Sequence, residues 1–364
     1  MRIAQVPPLY EAVPPRFYGG TERVVSHLTD ALVDLGHQVT LFASAEAQTK
    51  AQLVKVRDQA IRLDPVQLKS DLAAHMSMLW DVRRRADEFD IIHFHTDMLH
   101  FPFFEDVAEK TLTTLHGRLD LADMHPLYST FSEAPLVSIS DNQRKPMPPV
   151  NWAGRIHHGL PQNLLKPLAS RSGDYLAFLG RISPEKRPDR AIEIAARSGR
   201  ELRIAAKIDK VDRDYWREEI EPLLRRHAHV RYIGEIGDAE KAEFLGNAAA
   251  LLFPIDWAEP FGLVMIEAMA CGTPVIAWKC GSVPEVVDPG VTGFVVDSVE
   301  EAVSAVSLIG NLDRRRIREV FDQRFTAARM ARDYVAIYRR LLEGGAPLSQ
   351  RADARQPIEL SAAE

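Results

Sequence analysis

The sequence predicts two consecutive doubly wound α/β domains, each Rossmann-like, facing one another across a cleft. Three observations carry this expectation. At 364 residues the chain exceeds a typical single domain. Strand-like and helix-like patterns alternate through both halves, as in parallel sheets covered by helices. The alternation breaks once, between Lys145 and Pro167, where prolines at 146, 148, 149, 161 and 167 mark an interdomain connection. The first domain is therefore expected over residues 1–155 and the second over 156–325.

Arg2 to Val6 reads as the first strand. Thr21 to Leu35 is amphipathic, with Val24, Val25, Leu28 and Leu32 on one side, and it stops at Gly36. Val39 to Ala43 is the next strand, Leu68 to Phe89 carries helical signals, and Ile91 to Phe94 is a short buried strand. Thr111 to Leu115 and Leu136 to Ile139 complete the first series. After the break come strand Tyr175 to Leu179, a helix from Asp189, strand Leu202 to Ala206, helix Tyr215 to His227 and strand Val230 to Ile233. Strand Ala249 to Phe253 continues the series, strand Val275 to Trp278 follows, and helical segments run from Val299 to Leu342. The tail, 344–364, has little apolar periodicity and is expected to be disordered.

Composition narrows the function classes. A hydrophobic content of 46% with 26% charged residues describes an ordinary globular protein, and a net charge of −6 argues against a dedicated nucleic-acid binder. Cys271 and Cys280 have neither metal-site nor disulfide-framework spacing, which fits a reducing compartment with Cys271 as a small packed residue. No apolar run approaches the roughly 18 residues of a membrane span, and Met1 to Val6 is too short and polar for a signal peptide. A cytoplasmic enzyme without stable membrane insertion is the expectation.

The most informative stretch is Glu259 to Pro274, EPFGLVMIEAMACGTP. A strand closed by Pro254 leads into a loop bearing Glu259; a short apolar helix begins after Gly262, carries Glu267 and stops at Gly272. Free amides at the opening of the helix suit a phosphate, and the two carboxylates suit ribose or sugar hydroxyls. The small and apolar neighbours of Glu267 (Ile266, Ala268, Met269 and Ala270) argue against a solvated residue, and a largely buried carboxylate needs a partner.

Other chemistry-bearing positions follow predicted strands, at the sheet ends where α/β proteins bind ligands. Gly19 and Gly20 allow close backbone approach, and Thr21 is a plausible N-cap. Arg181, Lys186 and Arg187 form a basic loop able to neutralise a diphosphate. Arg181 and Lys186 are the chosen pair, with Arg187 pointing outward before Pro188. His116, beside Gly117 at a strand end, can hydrogen-bond a substrate hydroxyl or reacting group. His93 and His95 are read as facing opposite sides of their strand. Asp212 and Asp214 are read as helix caps rather than metal ligands. No Walker-type loop, GxSxG elbow or HExxH sequence occurs, which excludes the common nucleotidase, esterase and zinc-protease classes.

Taken together, these residues resemble family 4 of the retaining glycosyltransferases, which have the two-Rossmann GT-B fold, and the resemblance extends to about Leu342. Its most specific part is the segment from Glu259 to Glu267, similar to the family's Glu-x7-Glu signature. The resemblance implies that Glu259 contacts donor-sugar hydroxyls and Glu267 the ribose, neither acting as base or nucleophile. It implies that amides at Phe261, Gly262 and Leu263 bind the sugar or phosphate, and that Arg181 and Lys186 hold the diphosphate. Gly19 and Gly20 match the family's N-terminal glycine loop, and His116 its histidine near the transferred sugar. The catalytic set so implied is His116, Arg181, Lys186 and Glu259. His158-Gly159-Leu160 stands where the family commonly has Asn-Gly-Val-Asp, and Ala205-Ala206-Lys207 where it often has glycines, so Lys207 becomes a candidate for the nucleotide. Residues 326–342 resemble the crossover helix that returns to the first domain.

The activity so implied is metal-independent, retaining transfer of a hexosyl group from a UDP- or GDP-sugar, with UDP-glucose favoured, to an acceptor hydroxyl. No cofactor or essential metal is expected. Rival readings are a GT-B glycoside phosphorylase or trehalose-synthase-like enzyme, a nucleotide-sugar 2-epimerase, and a non-catalytic nucleotide-sugar-binding protein. The acceptor, a small molecule, a glycan or a lipid-linked group, is expected in the first domain near Arg16, Tyr18 and His95. Arg83-Arg84-Arg85 reads as a solvated helix face rather than a lipid contact.

Overall fold

Alternating apolar strands and amphipathic helices can bury both faces of a sheet only if every strand runs the same way, and the chain builds two such sheets. A computed structural model describes residues 1–16, 19–66 and 68–344; Tyr18 and the tail from residue 345 lie outside the described residues. The first sheet contains β1 (Arg2–Val6), β2 (Gln38–Ser44), β3 (Gln52–Arg57), β4 (Ile91–Phe94), β5 (Thr111–Thr114), β6 (Leu136–Ser138) and β7 (Trp152–Arg155), in the order β3-β2-β1-β4-β5-β6-β7. The second contains β8 (Leu176–Arg181), β9 (Leu202–Lys207), β10 (Val230–Gly234), β11 (Ala250–Phe253), β12 (Val275–Trp278) and β13 (Gly293–Val296), in the order β10-β9-β8-β11-β12-β13. All pairings are parallel. In each sheet the order reverses once, between β1 and β4 and between β8 and β11, which opens a crevice at the carboxyl ends of those strands.

Three strands escape the sequence reading. β3 is an edge strand of mixed polarity, QLVKVR, and β13 is only four residues long. β7 lies inside the proline-rich stretch read as the interdomain connection. Its prolines cluster ahead of Trp152, so the strand still adds to β6 and the true connection begins at Ile156. The predicted helix Leu68 to Phe89 is shorter, Asp71–Arg84, capped by Ser70, whose hydroxyl accepts from the Ala73 amide. Thr21 is not an N-cap: the helix Gly20–Asp34 starts one residue earlier, with Gly19 in the cap position and no side-chain cap bond. Arg83, Arg84 and Arg85 pair with Asp106, Asp81 and Glu88, as a solvated face would.

The last helix, Ala327–Gly344, buries Met330, Ala331, Tyr334, Val335, Ile337 and Tyr338, a spacing that makes one continuous apolar face. This face packs into the core of the first sheet with Ile3, Val24, Leu28, Ile91, Leu112 and Val137. Each large side chain so buried contributes roughly 1.5–3 kcal/mol.

The chain therefore passes between the sheets twice, and the two passages lie side by side. The Leu160 amide donates to the Phe325 carbonyl (2.9 Å), and the Ala327 amide donates to the Leu160 carbonyl (2.8 Å). Gly159 makes this approach possible, because a Cβ there would sit 2.4 Å from the Thr326 carbonyl oxygen. Gly159→Ala must push the passages apart and is expected to cost about 1–3 kcal/mol, read as a lower midpoint in thermal unfolding. An unchanged midpoint would show that the crossing is not tightly held.

A second tie joins the domains. Glu285, in the short helix Val283–Val286, accepts from the Asp141 and Asn142 amides at 2.8 Å each. Burial alone would push its carboxyl up, but His157 and those two amides hold it down to about 2.

Candidate functional site

The two crevices meet in one cavity of about 280 Å³. The first domain supplies Gly19, Gly20, Arg23, His116 and Ile139; the second supplies Gly180, Lys186, Lys241 and the run Glu259–Val264 with Glu267. Gly19, Gly20, Lys186, Glu259, Phe261, Gly262, Leu263, Glu267 and His116 are thus brought together as the sequence anticipates.

The loop before the helix Leu263–Ala270 is clamped from behind. Ser282 Oγ donates to the Phe261 carbonyl (2.7 Å), and the Ser282 amide donates to the Glu259 carbonyl (3.0 Å). Gly281, at φ 57°, lets the two segments touch, since a Cβ there would lie 2.4 Å from the Glu259 nitrogen. The helix ends as expected, with Gly272 left-handed at φ 68°.

Each carboxylate is held by a lysine. Glu259 pairs with Lys186 and accepts from Trp257 Nε1 at 2.9 Å; the ammonium also lies 5.0 Å from the Trp257 ring centre. Glu267, only 3% exposed, pairs with Lys241 at 2.7 Å. Lys241 comes from the helix Asp238–Asn247 and also approaches Asp238 at 3.3 Å, and Asp238 in turn pairs with Arg23 of the first domain. A row of alternating charge, Arg23–Asp238–Lys241–Glu267, therefore crosses the cleft.

Arg181 departs from expectation. It pairs with Glu185 and lies 3.3 Å from Asp212 and 3.9 Å from Asp209, and it is not among the cavity-lining residues. Asp212 is correspondingly not a cap, because its carboxylate faces this guanidinium instead of a helix amide. Lys207 pairs with Asp209 at 3.0 Å, while Ala205 and Ala206 line the cavity. Arg187 pairs with Asp189 and Asp256, away from the cavity.

The histidines also rearrange the expectation. Residues two apart on a strand share a face, so His93 and His95 lie together, with ring centres 4.1 Å apart, rather than on opposite sides. His95 is 3% exposed and spends both ring nitrogens internally, on His116 Nε2 (2.8 Å) and Gln5 Oε1 (2.9 Å). It therefore has no nitrogen left for an acceptor. Arg16 is exposed and does not line the cavity. His158 does line it, stacked on His116 with centres 5.2 Å apart. Burial pushes the His116 imidazole down to about 3, so the ring is neutral at working pH.

Residues 18–155 match the model described as Glycosyltransferase Family 4, and residues 165–323 match that described as Glycosyl transferases group 1. Together the two models span most of the chain. The chain belongs to glycosyltransferase family 4. This family 4 glycosyltransferase is 27% identical over 353 residues to the phosphatidyl-myo-inositol mannosyltransferase of Mycolicibacterium smegmatis, covering 87% of this chain and 86% of that one. It is 34% identical over 191 residues to the D-inositol 3-phosphate glycosyltransferase of Streptomyces avermitilis, where the match spans 50% of this chain and only 37% of the relative. Its fold is shared with sucrose-phosphate synthase from Thermosynechococcus elongatus (TM-score 0.75, 20% identity, 95% and 100% of the two chains covered). It is also shared with Anabaena HepE in complex with UDP and glucose (TM-score 0.70, 18% identity, 92% and 98% covered).

Sequence reasoning missed Arg23, Lys241 and His158 in this glycosyltransferase's cavity. The buried setting of Glu267 called for a cationic partner, but nothing local pointed to a lysine 26 residues upstream. Among the described residues, no group of three or more His, Cys, Asp or Glu side chains is placed to hold a metal ion, and no helix is long and apolar enough to cross a membrane.

Proposed function

We propose that this glycosyltransferase moves a hexosyl group, with retention of configuration, from a nucleotide-diphosphate sugar to an acceptor hydroxyl, with UDP-glucose the favoured donor and no catalytic metal required. The observation that carries the reading is the pair of lysine-held carboxylates, Glu259 and Glu267, on either side of a helix N-terminus in the interdomain cavity. The helix amides and Lys186 suit a diphosphate, and Glu259 and Glu267 suit the hydroxyls of the sugar and the ribose.

When the donor enters, Lys186 exchanges part of its contact with Glu259 for the diphosphate and offsets the charge that develops on the leaving group. Departure of the diphosphate on the face the acceptor attacks gives retention, and in this reading its oxygen takes the acceptor proton. Arg181 reaches the diphosphate only by leaving Glu185 and Asp212, so Lys186 is assigned the larger share of that work. Lys186→Ala is expected to lower turnover by ~100-fold or more and Arg181→Ala by less; steady-state rates in the reverse order would contradict this division.

The donor class is further supported by the structural neighbour described in complex with UDP and glucose. The relatives named for inositol-bearing acceptors favour an inositol phosphate or lipid-linked acceptor, with small molecules and glycans as the other classes. The test is a panel of nucleotide sugars, with release of nucleoside diphosphate followed with and without acceptors. One donor should be hydrolysed slowly without acceptor, at a rate unchanged by a chelator. Epimerised donor without released diphosphate would favour the epimerase, and binding without turnover the non-catalytic reading.

A further inference from the structure

Behind His116 a file of buried polar side chains runs from the cavity wall to the crossover helix. His116 Nε2 meets His95 Nδ1 at 2.8 Å, and His95 Nε2 meets Gln5 Oε1 at 2.9 Å. The Gln5 amide nitrogen lies 3.4 Å from Tyr338 Oη and from His93 Nδ1. The Tyr338 hydroxyl is 2.8 Å from His93 Nδ1, His93 Nε2 is 2.8 Å from Thr114 Oγ1, and Thr114 Oγ1 is 2.9 Å from Tyr334 Oη. Gln5, His93, Thr114, Tyr334 and Tyr338 are fully buried.

The file has a direction. An amide oxygen only accepts, so the proton of His95 sits on Nε2 and is donated to Gln5. His95 is neutral, because burial drives its imidazole far below the usual range, so its Nδ1 is an acceptor. The proton on that bond must then belong to His116 Nε2. His116, also neutral, is left with a bare Nδ1, and that atom is buried without a hydrogen-bond partner among the described residues, although the ring lines the cavity. A buried acceptor left unmatched is costly unless a ligand completes it. At the far end the Gln5 amide N–H points to Tyr338 Oη at 3.4 Å, which agrees with its oxygen facing His95.

We infer that Gln5 and His95 are positioning residues that hold the His116 proton on Nε2, so that Nδ1 is an acceptor reserved for a donor-sugar hydroxyl, and that Tyr338 anchors the file to the crossover helix. The inference rests on the proposed donor site for its ligand, but its core statement concerns one ring nitrogen and is measured without ligand.

The test is nitrogen-15 NMR of histidine-labelled protein, with the His116 signals identified by their loss in His116→Asn. The expected result is protonation on Nε2 in the wild type and a mixture of the two tautomers in Gln5→Leu. The donor KM should also rise roughly tenfold in Gln5→Leu, with a smaller change in kcat. One donor whose sugar hydroxyl is replaced by fluorine, which cannot donate, should lose a similar factor in the wild type and little in Gln5→Leu. A wild-type proton on Nδ1 would overturn the inference, since the amide and the whole file would then run the other way. So would an unchanged tautomer in folded Gln5→Leu; if that variant does not fold, the wild-type spectrum decides alone. If no nucleotide sugar is turned over, the functional reading fails while the spectrum still judges the file.

Discussion

Acidification from pH 7 to pH 5 is expected to unfold this protein. Burial lowers eight histidines in the folded state, six of them by a large amount. Burial pushes His27 down to about 4, and His100 and His116 to about 3. His93, His95 and His158 are pushed well below the usual range, first by burial and then by the charge each would place beside its neighbours. In the unfolded chain each titrates near 6.5. The folded pKa is the lower one, so below about pH 6.5 the unfolded state binds more protons and stability falls as pH falls, down to the folded values. Each group contributes up to about 1.4 kcal/mol per pH unit. Six together approach ~8 kcal/mol per unit at the limit, comparable to the whole stability of a domain. Glu22, Asp97 and Asp212 act in the opposite sense, because burial raises these carboxyls, Asp97 to about 6, but they are three against the six, and His37 and His75 add to the histidine side. The measurement is the thermal midpoint as a function of pH. A steep fall between pH 6.5 and 5 is expected, and a flat profile to pH 5 would contradict it.

Replacing Glu267 is expected to remove nucleotide binding more completely than it disturbs the fold. Its carboxylate is nearly buried, it faces the cavity, and it holds Lys241 at 2.7 Å. Hydrogen bonds to a charged group are worth about 1.5–3 kcal/mol each, so losing those to a ribose should weaken binding by roughly 10–100-fold. Some stability goes with it, since Lys241 keeps only the longer contact to Asp238, at 3.3 Å. Titration calorimetry of Glu267→Ala with nucleoside diphosphate measures the first effect. The same variant binding as tightly as wild type would remove the ribose from Glu267.

Much of this was legible from local pattern. The alternation of elements predicts both sheets, and the apolar neighbours of Glu267 predict a buried acid in need of a partner, which the cavity supplies as Lys241. What was not legible depends on contacts remote in sequence. Lys241 and Arg23 belong to helices whose cavity-facing positions no short motif marks. Arg181 closes β8, beyond the strand end at Leu179 read from sequence, and Glu185, Asp209 and Asp212 converge on it only after β8 and β9 pair. His95 resembled a cleft residue because it extends β4, yet the crossover helix, arriving from the other end of the chain, closes over that file of side chains. β7 was hidden because prolines in a loop ahead of a strand look the same as prolines in a linker.

Transfer of a hexosyl group with retention from a nucleotide-diphosphate sugar is the reaction proposed for this cavity. Its most direct test is proton NMR of the wild-type enzyme turning over UDP-glucose with acceptor, reading released UDP and the anomeric configuration of the new glycoside together. One UDP should appear for each glucosyl group transferred or hydrolysed, with the new glycoside in the α configuration of the donor. A β-glycoside, or failure of every UDP- and GDP-sugar in the panel to release its nucleotide, would contradict the account.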